Sequence, residues 1–200
     1  MKVCHKPKAA EEPAVNNSGA ALVRNFESML KDATYWDVTF VFVNEGNAEI
    51  GANKCVLCSR SSYFNAMLRN ADMAESRTNR VEIHSHSMHT YSAMLEFLYT
   101  ARVKNLSNFD SNQCLNILYL ASEHGLDDLK ILSQHAIGKL LNASNICKMF
   151  CVADGIDAEI LMGHIKVLLN FLFIYIFMHF KISLYSNMTH LIIVVLIFCR

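Results

Sequence analysis

No excess charge of either sign marks this sequence of 200 residues: 18 Lys and Arg balance 18 Asp and Glu, and no basic patch or stripe stands out. That absence argues against nucleic acid as a partner, because holding a polyanion takes clustered cations. No Gly-rich phosphate loop, Gly-x-Ser-x-Gly elbow or His-Glu-x-x-His pair occurs, so no motif points to an enzyme or to a cofactor. Met1 to Ser18 lacks the apolar run of a secretory signal and carries Pro, Lys, Glu and Asn instead. A reducing compartment, cytoplasmic and/or nuclear, is therefore expected.

What is present suits one ordinary domain with some extra chain, since 52% hydrophobic residues are enough to bury a core. Residues 1–19 read as a disordered leader, too polar to offset the entropy of ordering. Leu22, Phe26, Met29 and Leu30 then fall at the spacing of an amphipathic helix, with Arg24, Glu27 and Lys31 free for its wet face. Asp37 to Val43 is β-branched and aromatic and ends in Asn44-Glu45-Gly46-Asn47, which predicts a strand, a tight turn and a hairpin partner over Ala48 to Asn53.

Short helices are expected over Lys54 to Cys58 and Ser62 to Leu68, the second capped by Ser61 or Ser62, with Phe64, Met67 and Leu68 turned inward. Arg80 to Ile83 alternates as a strand does. Met88, Tyr91, Leu95 and Leu98 form one helical stripe, which Thr100 to Val103 breaks into an extended piece. Three more helices follow: Asn112 to His124, stopped by Gly125; Asp127 to about Leu141; and Ser144 to Asp154, stopped by Gly155.

Two groups of residues invite a metal reading. Cys55 and Cys58 have zinc-like spacing, but no second pair stands at related spacing, so both are expected as small buried hydrophobes. Cys147 and Cys151, one helical turn apart, are also expected to pack. His84, His86 and His89 straddle a strand end and a helix start, where exposed loop or capping roles are expected. No metal ligand set is assigned.

Asp37-Val38-Thr39-Phe40, Ala52 to Leu57, Ser59 to Phe64 and Phe97-Leu98-Tyr99-Thr100 follow one another in an order and spacing that resembles a BTB/POZ domain. Leu118-Tyr119-Leu120-Ala121 and Leu126 to Lys130 extend the likeness into the closing helices. Met73 to Ser76 leading to Asn79 to Ile83 looks most like the speckle-type POZ proteins, which are cullin adaptors. The resemblance implies an α/β fold: a small sheet with a hairpin, flanked by helices, followed by the start of a helical extension of BACK type. It places the BTB/POZ domain at 20–141, the incomplete extension at 142–164 and an apolar tail at 165–200.

The same resemblance implies a homodimer built on Leu22, Phe26, Met29 and Leu30, with Asp37 and Lys54 at the acidic and basic positions near that interface. An exposed hairpin edge and a weakly tethered terminal helix point the same way, because both are hidden when exchanged with a twin. Asn53 replaces the histidine that the transcription-factor branch carries, which counts against a corepressor pocket. Met73-Ala74-Glu75 matches the hydrophobic-any-Glu pattern of cullin-binding relatives: Met73 would fill an apolar pocket and Glu75 would accept hydrogen bonds at its rim. His124 stands where many relatives carry a cullin-facing tyrosine. The expected partners are a second copy, a cullin scaffold and an unknown substrate protein. The alternatives are a BTB scaffold or transcriptional co-regulator without cullin, or a membrane-tethered BTB protein.

From Ile165 onward there is no Ala, Gly, Pro, Asp or Glu. In one reading the runs Val167 to Phe180 and Leu191 to Cys199, each shorter than the ~20 residues of a spanning helix, lie at a bilayer surface or anchor the chain, with Lys166, Lys181 and Arg200 at the headgroups. In the other, the AT-rich codon bias of these residue types marks sequence translated past an exon end near His164. A membrane contact is expected only through this tail.

Overall fold

A computed structural model describes the backbone from Ser18 to Phe198 and the side chains of residues 19–179. Residues 1–17 of the expected leader, Cys4, Cys199 and the side chains of Lys181 and Arg200 lie outside the described residues. Helix α1 (Ser18–Lys31) begins at the last residues assigned to that leader. Phe26, Met29 and Leu30 sit half-buried against the main core, whereas Leu22 is 57% exposed. Glu27 accepts from Lys31 one turn later at 3.1 Å and also pairs with Lys104, which ties the helix to the body.

Strand β1 (Val38–Phe42) pairs antiparallel with β2 (Ala48–Ala52), Phe40 opposite Ile50. Between them Val43–Glu45 tightens into a 3-10 turn, and Gly46 and Asn47 take left-handed φ of 67° and 59° to reverse the chain. Strand β3 (Arg80–Ile83) lies parallel to β1 on the other side, giving the order β2-β1-β3. The central strand is the most continuously apolar, as burial on both faces requires: Val38, Phe40, Val41 and Phe42 are all buried.

The connection from β2 to β3 contains α2 (Lys54–Arg60), α3 (Ser62–Arg69) and α4 (Ala74–Thr78). Ser61 is the cap of α3, its hydroxyl accepting from the Phe64 amide at 3.3 Å, and Phe64 and Leu68 are buried as expected. Helix α4 was not expected; Met73-Ala74-Glu75 reads as loop in the sequence.

Helix α5 (Met88–Thr100), capped by Ser87, runs through the middle of the core. A single stripe is expected of it, but Thr90, Ala93, Met94, Phe97 and Tyr99 are buried along with Tyr91, Leu95 and Leu98. The buried face is thus far wider than a stripe, leaving the narrow line of His89, Ser92 and Glu96 toward solvent, and Met88 is only half-buried. It continues through Thr100 and stops at Ala101, whose φ is 56°; the piece beyond is not a strand. The Tyr91 ring lies 5.4 Å from both Phe40 and Phe42, joining helix to sheet.

Helices α6 (Ser111–Glu123) and α7 (Asp127–Leu140) form an antiparallel pair. Asp110 and Gln113 make a reciprocal capping box at the start of α6, and Gly125, with φ of 62°, makes the turn. Helix α8 (Ile146–Gly155) follows, with Gly155 as its last helical residue and Asp157, at φ 49°, taking the left-handed role expected of that glycine.

Helix α9 (Glu159–Phe198) then runs unbroken for 40 residues, which replaces the two short apolar runs expected from the sequence. Its start belongs to a second core, in which Leu161 and Ile165 pack with Cys114, Leu118, Ile137 and Met149. Gly138 allows this approach: a Cβ there would stand 2.6 Å from the His164 ring. Two polar groups of α7 bracket the α8–α9 turn, Lys130 donating to the Ile156 carbonyl at 2.8 Å and Gln134 accepting from the Leu161 amide at 3.1 Å.

Candidate partner-binding surfaces

Met73 and Glu75 stand on a small, firmly built corner. Asn70 opens it, its side-chain oxygen accepting from the Asp72 amide at 3.0 Å while its carbonyl accepts from the Met73 amide at 3.1 Å. Met73 occupies the N-cap position of α4 and is 45% exposed; Glu75 lies in the first helical turn and is half-buried. The Ser76 hydroxyl donates to the Leu68 carbonyl at 3.0 Å, fastening α4 to α3. An apolar side chain is thus presented to solvent from a fixed backbone, with a carboxylate two residues on.

His124 is not on that surface. It is 4% exposed, at the C-terminal end of α6, because α3 and α5 close over it. Its ring lies 4.3 Å from that of Tyr63, 5.3 Å from Phe64 and 5.8 Å from Tyr91. Nδ1 is 3.0 Å from the Leu120 carbonyl, which only accepts, so Nδ1 carries the proton. Nε2 then accepts from the Tyr91 hydroxyl at 3.1 Å. Burial lowers the His124 pKa, with the Leu120 bond acting in the opposite sense, and burial raises that of Tyr91 well above the ordinary phenol range. The aromatic group exposed at this place is Tyr63, at 43%, which the sequence reading overlooked.

At the expected dimer surface, Asp37 and Lys54 meet through the backbone. The Asp37 carboxylate accepts from the Lys54 amide at 2.6 Å and so satisfies the open N-terminus of α2, while the Lys54 ammonium turns to the side-chain oxygen of Asn79. Behind them Asn53, 2% exposed, is locked to Tyr99: its amide donates to the Tyr99 oxygen and its side-chain oxygen accepts from that hydroxyl, both at 2.7 Å. Burial pushes the Tyr99 pKa up to about 12. Of the apolar α1 residues, Leu22 alone is largely free; Phe26, Met29 and Leu30 already lean on their own core.

The cysteine expectations need correction. Cys55, Cys147 and Cys151 are exposed and Cys58 is half-buried, because the apolar faces of their helices are filled by Val56, Leu57, Ile146, Met149 and Ala153 instead. Cys114 is the buried thiol, its pKa raised to about 11 by burial. His84 and His89 are exposed, but the His86 side chain is 9% exposed and lies 2.6 Å from Glu123. Among the described residues no three His, Cys, Asp or Glu side chains converge on a metal position.

A model of the BTB/POZ domain family matches residues 26–140. The mouse TD and POZ domain-containing protein 4 is 27% identical over 164 residues, which cover 82% of this chain and 42% of that protein. The chain thus spans about two-fifths of the length of that relative. Among solved structures, the BTB domain of zebrafish PATZ1 is similar at a TM-score of 0.49 and 20% identity, over 65% of this chain and 99% of that one. The BTB domain of human gigaxonin is similar at a TM-score of 0.45 and 19% identity, over 65% and 97%.

Proposed function

This chain belongs to the BTB/POZ domain family, a protein-interaction fold, and we propose that it acts as a dimeric adaptor that docks on a cullin ubiquitin-ligase scaffold. The observation that carries this reading is the corner at α4: Met73, 45% exposed, is held at a helix cap with Glu75 in the following turn. An apolar anchor on a rigid backbone loses little entropy when it enters a pocket, and a neighbouring carboxylate supplies orientation at the rim. Tyr63, supported from below by His124, adds a second, aromatic element.

The dimer is assigned to Leu22 and the outer side of α1, with Asp37 and Lys54 beside it. A half-seated terminal helix is suited to exchange with a twin. Helix α8 and the first turns of α9 are read as the start of a BACK-type extension that widens the partner-facing side, and the module is placed on the cytosolic or nuclear side of the cell. A pull-down with a cullin N-terminal domain tests the adaptor reading: retention of the wild type and loss on Met73→Ala supports it. A folded dimer that is not retained leaves a BTB scaffold or co-regulator without cullin.

A further inference from the structure

Past Leu168 the body of the protein falls away from α9. Among the described side chains the last fully buried position of α9 is Ile165, and Phe173, Ile174, Tyr175 and Ile176 are 72%, 57%, 66% and 64% exposed. Four consecutive helical residues turn by about 100° each and so pass around the whole circumference. The apolar surface is therefore not a stripe. A protein groove covers one face of a helix, whereas a helix apolar all round belongs inside a large core or a bilayer.

Length and charge point to the bilayer. The segment Glu159–His179 is 21 residues long and apolar enough by composition to cross a membrane. Leu161, Met162, Ile165 and Leu168 within it pack on the second core, so the part free for lipid begins beyond them and draws on the rest of α9. No Asp or Glu follows Glu159 in the sequence, and exposed Lys166 stands near the boundary between the packed and unpacked parts of the helix. Between Lys166 and Phe198 the sequence carries one further Lys or Arg, Lys181, a residue type whose long stem can carry its ammonium toward the headgroups. From Lys166 to Phe198 the helix extends ~50 Å at ~1.5 Å per residue, more than the ~30 Å of a hydrocarbon layer. Every backbone group in such a helix is satisfied internally, as lipid requires.

We propose that α9 beyond Leu168 inserts into and spans a lipid bilayer, with the Lys130 and Gln134 bonds of α7 holding the interaction module close to the membrane surface. This inference is independent of the cullin reading. Lipid is the occupant because it alone covers all four of the residues Phe173 to Ile176 at once, where a second copy of α9 would leave most of each helix in water.

Flotation of the full chain from cell lysate on a density gradient, followed by alkaline carbonate extraction, tests it. The full chain is expected to float and to resist carbonate. A Phe173→Lys, Ile176→Lys double variant, which touches neither core, is expected to lose more than ~90% of the floating fraction. Two lysines are then added to a segment that already carries Lys181, and each raises the cost of insertion most when it lies deep in the layer. A chain that floats but is stripped by carbonate lies on the surface and overturns the span. A chain that sinks is covered by its own kind and overturns the lipid assignment.

Discussion

The side-chain oxygen of Gln134, 3% exposed in α7, accepts from the backbone amide of Leu161 in the first turn of α9 at 3.1 Å. The first amides of a helix have no partner within it, so one helix here caps another across the second core. Replacing Gln134 by Leu leaves that buried amide open and is expected to cost about 1–3 kcal/mol, as a lower urea midpoint. Faster hydrogen exchange at Leu161 than at the Phe40 amide would localise the loss to the extension.

Trp36 is the single tryptophan of the sequence, and its indole lies directly on Gly51 while Nε1 donates to the Leu30 carbonyl at 3.1 Å. A Cβ at position 51 would fall 2.0 Å from the ring, so Gly51→Ala must expel it. Red-shifted tryptophan emission is the expected outcome, together with weaker attachment of the C-terminal end of α1. An unshifted emission would mean that the indole does not rest there.

Much of this was legible in the sequence because it is local. The α1 stripe, the β1–β2 hairpin and the Ser61 and Gly125 signals each follow from residues within one or two turns of one another. Helix α4, at five residues, is too short to show a period. The wide buried face of α5 and the burial of His124 depend on side chains brought from distant positions, Tyr63, Phe64 and Tyr91 among them. Asn170 and His179, the polar residues inside the first apolar run, do not interrupt a helix whose backbone bonds are internal.

Asn53 and Tyr99 exchange two hydrogen bonds inside the core, each at 2.7 Å. Asn53→Ala and Tyr99→Phe are each expected to destabilise by about 1–3 kcal/mol. The double variant should lose less than the sum, since both remove the same bond. Additive losses in a denaturation cycle would contradict the reciprocal arrangement.

Burial holds the His124 pKa below that of an unfolded histidine. Between the two values the unfolded chain binds the proton and the folded one does not, so stability rises with pH across that window. Above the unfolded value His124 contributes no pH dependence; acidification below ~6.5 should lower the urea midpoint. His124→Gln should reduce that acid sensitivity when midpoints at pH 7.5 and 5.5 are compared, and an unchanged difference would place the sensitivity elsewhere.

Met73 and Glu75 are tested most directly by calorimetric titration of a cullin N-terminal domain into residues 18–168, which keep Ile165 and Leu168 of the second core, with light scattering to establish the dimer. Micromolar or tighter binding, one cullin domain per protomer, weakened at least tenfold by Met73→Ala with Glu75→Ala, is the predicted result. A well-folded dimer that gives no heat, or one whose binding the double variant leaves intact, would contradict it.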